Sequence, residues 1–326
     1  MGAGSWGTAL AALLAEKGYD VAIWARQADL AHEINKEGTN SLYLPGVRLP
    51  SSLKATPYLK KAVTGARYIL SAVPTQYIRS VFGPVSDNLR SDAVVISASK
   101  GIEIDTLMTP SMILKEILNR PVSVLSGPSF AGEMAGKLPT AVTLAAEERK
   151  TGLILQEIFD SDYFRVYTHD DMTGVEMGGA LKNVIAIAAG ISEGLGLGNN
   201  SRAALITRGL SEIRRLGLSM GAHEVTFSGL SGLGDLVLTC TAHLSRNYTV
   251  GYKLGQGMSI AEITGQTRSV AEGVTTTLSA HQLSRRQNID MPITEQVYLT
   301  LYEGKSPREA VRDLMTRSLK SEFYSY

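Results

Sequence analysis

The chain has 326 residues, 44% of them apolar, and its 32 basic and 31 acidic side chains leave a net charge of +1. At ~150 residues per domain that length predicts two domains with a core apiece, and the near balance of charge excludes a broad basic field for nucleic acid or an anionic membrane. No unbroken apolar run reaches the ~18 residues of a membrane span, and Met1 leads into a glycine-rich turn where a signal peptide would need an apolar stretch. The expectation is a cytoplasmic protein without stable membrane insertion. The single Cys240 permits no internal disulfide and has no His/Cys neighbours in sequence for a structural zinc, so it reads as a buried filler.

Gly2-Ala3-Gly4-Ser5-Trp6-Gly7 fits G-x-G-x-x-G and runs into a helical pattern over 8–17 closed by Gly18. Free amides and the positive end of such a helix receive a pyrophosphate. Strand patterns follow at 20–25, 67–73, 93–99, 122–126, 140–145 and 163–168, with helical patterns at 28–37, 76–89 and 110–119 between them. Alternation at this spacing means right-handed crossovers and a mostly parallel, Rossmann-like sheet. Residues 40–50, with two prolines and a glycine, read as a surface loop. From about residue 170 long helical patterns take over, at 172–193, 201–221, 246–255, 270–287 and 293–303. The chain therefore divides into a dinucleotide-binding domain (1–169) and an all-helical domain (170–326) that carries substrate and catalysis. No flexible linker separates them, which predicts a cleft between packed domains.

A dinucleotide fold requires an apolar strand before the first glycine, and only Met1 precedes Gly2. Such a strand buries three or four apolar side chains, roughly 5–12 kcal/mol, comparable with a domain's net stability. The expectation is that the natural start lies upstream of Met1 or that the chain is truncated.

Arg26 ends the strand pattern at 20–25, where NAD-selective enzymes carry an acid, and an arginine there can meet the 2′-phosphate of NADP. Gly178-Gly179-Ala180-Leu181-Lys182-Asn183 lies in an otherwise apolar helix, where small residues allow close approach to the backbone. Lys182 then projects into the cleft. Desolvated, or beside another cation, its pKa falls toward neutrality, as proton transfer at physiological pH requires. Lys100 ends a parallel strand at the ligand-binding edge and offers a second cation. Ser126-Gly127-Pro128-Ser129 is a strand-to-helix turn with hydroxyl and amide donors, and Gly229 to Gly234 is a glycine-rich turn ending in Asp235. Ser245 is a natural N-cap, followed by Arg246, which can fork onto a phosphate, and Asn247. Arg202, Arg208, Arg214 and Arg215 read as a solvated helix face. His32, His169, His223, His243 and His281 lack metal-ligand spacing, and no hydrolase triad is visible.

Together with Ser99-Lys100-Gly101, the run from Ala203 to Gly209, and Gly232 to Thr241, these blocks resemble the bacterial NAD(P)-dependent glycerol-3-phosphate dehydrogenases over nearly the whole chain. The resemblance implies reversible reduction of dihydroxyacetone phosphate, a phosphorylated triose, to sn-glycerol 3-phosphate for phospholipid synthesis, with NAD or NADP and no metal. It implies that Lys182 is the proton donor and acceptor, and that Lys100, Gly127, Ser129, Asp235, Ser245, Arg246 and Asn247 hold substrate. Ser5, Trp6, Arg26, Lys100, Ala131, Arg246, Val270 and Glu272 would surround the cofactor with Gly2, Gly4 and Gly7. A ketopantoate-type or other β-hydroxyacid reductase, and a dinucleotide-sensing module without catalysis, are the alternatives. The apolar C-terminal helices permit a homodimer without requiring one.

Overall fold

The computed structural model describes residues 2–265, 271–319 and 321–322. The glycine turn leads into α1 (Ser5–Glu16), which starts three residues earlier than the apolar pattern predicts. Gly7 therefore sits inside the first turn. A Cβ there would lie 2.0 Å from the Gly2 carbonyl oxygen, so the helix can cross the preceding loop only with glycine at this position.

The α/β portion continues with β1 (Ala22–Trp24), α2 (Ala28–Glu37), β2 (Lys54–Thr56), α3 (Leu59–Val63), β3 (Tyr68–Ser71), α4 (Ile78–Phe82) and β4 (Val94–Ser97). Then come α5 (Pro110–Leu118), β5 (Val122–Ser126), α6 (Ala131–Ala135), β6 (Thr140–Ala145), α7 (Arg149–Phe159) and β7 (Phe164–His169). The expected helix over 76–89 is broken: α4 is flanked by 3-10 turns at Thr75–Tyr77 and Gly83–Asn88, because Pro84 has no N–H to continue it. Strand β2 is too short for its periodicity to be read. It is held by the Asn35 side chain, which donates to the Ala55 carbonyl (2.8 Å) and accepts its amide (2.9 Å).

Strands β3 to β7 form one sheet in that order, parallel except for the antiparallel β5–β6 pair, and β1 and β2 pair in parallel as a second sheet. The stretch after Met1 occupies the seam: the Ala3 amide donates to the Trp24 carbonyl (3.0 Å), and Gly2 lies against the Ala72 backbone. Alternate residues of the strands face opposite layers. Ile96 and Leu125 enter the core under α1 and α7, while Val95 and Val122 enter the one under α4 and α5.

The remainder is helical: α8 (Met172–Gly194), α9 (Gly198–Ser219), α10 (Asp235–Thr241), α11 (Arg246–Gly255), α12 (Ile260–Gly265), α13 (Glu272–Arg286), α14 (Pro292–Tyr302) and α15 (Pro307–Met315). Asp171 caps α8, accepting from the Gly174 amide at 2.8 Å. Helix α8 is 23 residues long and apolar enough to cross a membrane, contrary to the reading from unbroken apolar runs, which Glu176, Lys182 and Asn183 interrupt. Its most apolar window is wholly buried in the protein, as the central helix of the largest core. The expected glycine-rich turn before Asp235 is instead a π-helical turn, Leu230–Gly234, that runs straight into α10 and buries Ser231 against α8. Cys240 is buried as expected, and burial pushes its thiol up to about 12. On α9, Arg208 is exposed, but Arg202, Arg214 and Arg215 are half-buried, so that face is only partly solvated.

Candidate active site

A cleft of about 750 Å³ runs between the α/β and helical portions. Gly2, Gly4, Ser5, Trp6 and Gly7 line one end, where Gly4 precedes the first turn of α1 and the unpaired amides of that turn face the cleft. The Trp6 ring packs beside Phe164 in the core under α1 and α7, and its indole nitrogen is buried without a hydrogen-bond partner. Arg26, exposed one residue beyond Ala25, lines the same end with Trp24, Gln27, Leu59 and Tyr77. The apolar side chains there were not anticipated from sequence, because each comes from a different element.

At the other end Lys100 and Lys182 converge. Lys182 is 7% exposed and donates to Asp235 Oδ1 at 2.5 Å and to Thr239 Oγ1 at 2.9 Å. Lys100 leaves the end of β4 and donates to Asp235 Oδ2 at 2.6 Å and to the Gly127 carbonyl at 3.1 Å. Asp235 itself is fully buried behind the two amines. The expected close approach at the glycines of α8 is present, since a Cβ on Gly179 would lie 2.6 Å from Ser126 Oγ and 3.5 Å from the Lys100 side chain. Burial holds the Lys182 ammonium down to about 8, with Asp235 pulling it up and Lys100 pushing it further down. An amine so placed exchanges a proton readily near neutral pH. Thr239 was missed from sequence; its spacing of four from Asp235 puts both on one face of α10, and its hydroxyl donates to the Asp235 carbonyl at 2.6 Å.

The helical rim adds Arg246, Asn183, Asn247 and Glu272 to the lining. Ser245 caps α11 by accepting from the Tyr248 amide at 3.3 Å, which sets Arg246 on the first turn. Asn247 donates to Asn183 Oδ1 (2.9 Å) and accepts from the Gly273 amide (2.9 Å), tying α8, α11 and α13 together. Glu272 opens α13, and burial raises its carboxyl to about 7 against the opposing pull of Arg246, Lys100 and Lys182. Ser129 lines the cleft and donates to the Gly127 carbonyl at 3.0 Å. Gly127, Asp235 and Ser245 lie behind the lining, and Ala131, at the start of α6, is packed in the core that also holds Trp6. Val270 lies outside the described residues.

The N-terminal model of the NAD-dependent glycerol-3-phosphate dehydrogenases matches residues 1–152, and the C-terminal model matches residues 171–312. The chain belongs to this family. Glycerol-3-phosphate dehydrogenase [NAD(P)+] of Geobacter sulfurreducens is 55% identical over 326 residues, covering 99% of this chain and 97% of that protein. The crystal structure of glycerol-3-phosphate dehydrogenase from Coxiella burnetii superposes with a TM-score of 0.94 at 42% identity, covering 97% of each chain. A ketopantoate reductase from Ralstonia eutropha shares the fold alone, with a TM-score of 0.62 and 16% identity over 95% of this chain and 98% of that one.

Proposed function

We propose that the cleft carries out reversible hydride transfer between NAD(P)H and dihydroxyacetone phosphate, giving sn-glycerol 3-phosphate, with Lys182 donating and accepting the proton. Family membership makes the chain an oxidoreductase that acts on a CH–OH group with NAD or NADP. The residues present suit such a cofactor: a glycine turn a Cβ would block and the free amides of α1. When bound, the dinucleotide supplies or takes the hydride.

Lys182 gives its proton to the oxygen of the carbonyl at C2 during reduction and recovers it during oxidation, while Lys100 and Arg246 supply positive charge for the phosphorylated triose. Gly127, Ser129, Asp235, Ser245 and Asn247 position those groups. Gly2, Gly4, Ser5, Trp6, Gly7, Arg26, Lys100, Arg246 and Glu272 form the cofactor's surroundings, with Arg26 directed at an NADP 2′-phosphate; Ala131 and Val270 join this set on the resemblance alone. We take the division between the domains at 169 and 170. Supply of glycerol phosphate to phospholipid synthesis and a cytoplasmic location, consistent with one buried unpaired thiol, go with this reading. A homodimer is compatible with it, the exposed Met315 and Leu319 offering apolar surface.

The observation that carries the proposal is the buried Lys182 ammonium, joined to Lys100 through Asp235 at the wall of the cleft. Following NADPH absorbance with dihydroxyacetone phosphate and then with ketopantoate tests it: turnover is expected with the first. Turnover with ketopantoate alone selects the hydroxyacid reading, and none with either selects the sensing module.

A further inference from the structure

We propose that Glu176 is a positioning residue for this reaction: it stands on the same helix as Lys182 and fastens the segment that carries Lys100, so that both amines meet on Asp235. The inference rests on the reading of Lys182 given above. Glu176 is 4% exposed, and its carboxylate accepts from Thr109 Oγ1 (2.6 Å), the Ser111 amide (2.8 Å) and Ser111 Oγ (2.5 Å). These donors belong to the start of α5, whose own N-cap, Thr109, makes no side-chain cap to the helix. A carboxylate from the helical portion thus caps a helix of the α/β portion.

Residues 98–109, between β4 and α5, contain no helix or strand. Among the described residues, hydrogen bonds join this segment to the helical portion at three points, Lys100 on Asp235, the Ile102 carbonyl on Ser279 Oγ (3.0 Å), and the start of α5 on Glu176, while Ile102 and Leu107 also pack into the helical core. Removing the third takes away the polar anchor at the far end of a loop that presents a cation to the reacting site, leaving Ile102 and Leu107 to hold that end by apolar packing, and a displacement of about 1 Å can cost on the order of a hundredfold in rate. A buried carboxylate with three donors also stabilises the contact it makes, so the readout that separates positioning from stability is the placement of Lys100. Burial raises the Glu176 carboxyl against the opposing pull of its three donors.

The test uses the full chain with NADPH and dihydroxyacetone phosphate. Glu176→Ala is expected to lower kcat at least about tenfold and to make Lys100 at least about threefold more reactive toward an amine-directed reagent, read by peptide mass mapping. Glu176→Gln is expected to restore kcat to within about threefold, because its carbonyl accepts the Ser111 amide and the two hydroxyls can turn to accept its N–H groups. Should the alanine variant not fold, Thr109→Val with Ser111→Ala removes two of the three donors from the other side and carries the same expectation. Kinetics and Lys100 reactivity within about twofold of the parent in whichever of these folds overturn the proposal, as does a glutamine variant as slow as the alanine one. Lys182→Ala separates the two readings. If that variant turns over normally, the role of Lys182 fails, while Lys100 reactivity in the Glu176 variants still reports whether the fastening exists.

Discussion

Lys100 and Lys182 grip the two oxygens of one buried carboxylate, that of Asp235, at 2.6 and 2.5 Å. Two like charges are thereby held together at the edge of a cleft, where Lys100 opposes ionisation of Lys182 and the shared anion prevents their separation. The arrangement gives Lys182 a proton that is easily lost and a geometry that is not.

Lys182→Ala removes that proton. We expect kcat to fall at least about a hundredfold in both directions while NADPH still binds, as for loss of a general acid–base group. Steady-state turnover beside fluorescence titration of NADPH checks this, and near-normal turnover refutes the assignment.

With its ammonium held down to about 8, Lys182 also predicts opposite pH profiles for the two directions. Ketone reduction needs the ammonium, so kcat is expected to hold below pH 8 and to fall above it. Oxidation of glycerol 3-phosphate needs the neutral amine, so its kcat falls below pH 8. Asp235→Asn removes the group that pulls the pKa up and leaves Lys100 pushing it down, so the midpoint moves to lower pH. Parallel profiles in the two directions, or a midpoint moving upward in the variant, would contradict the scheme.

Arg246→Ala is expected to raise KM for dihydroxyacetone phosphate at least about tenfold, the size of a lost charge-assisted contact, with a smaller change in kcat. Unphosphorylated dihydroxyacetone serves as the control, since its weaker turnover should not respond. An unchanged KM for the phosphate ester counts against the phosphate role.

Arg26→Glu exchanges attraction for repulsion at a 2′-phosphate. The ratio of kcat/KM for NADPH to that for NADH is expected to drop at least about tenfold, measured with both coenzymes at one ionic strength. A ratio that does not move places the 2′-phosphate elsewhere.

Glu212 supplies a prediction away from chemistry. Its carboxylate is 1% exposed and accepts from the Ile293 amide (2.6 Å), the Thr294 amide (3.1 Å) and Thr294 Oγ1 (3.0 Å), so it caps α14 from α9. Glu212→Ala is expected to lower stability by about 1–3 kcal/mol in urea unfolding, the cost of leaving buried donors unpaired. Burial raises this carboxyl from 4.5 to about 7 in the folded chain, so its contribution is full at low pH and is lost as pH rises toward 7. Denaturation midpoints measured from pH 4.5 to 7 should fall less steeply in the alanine variant than in the parent.

The sequence by itself determined the fold class, most strands and the long helices, because backbone periodicity, caps and glycine turns are local and repeat within a few residues. It also pointed to Lys182, a cation stranded in an apolar helix. What it could not order was anything set by distant partners: Asp235 is 53 residues from Lys182 and 135 from Lys100, and no local pattern announces that both amines meet on it. The same holds for Thr239, for Glu176 capping α5, and for strand β2, whose three residues are held by Asn35 and a neighbouring strand. Only tertiary structure decided these, because the burial that shifts a proton and the pairing that directs a side chain arise when remote segments exclude water together.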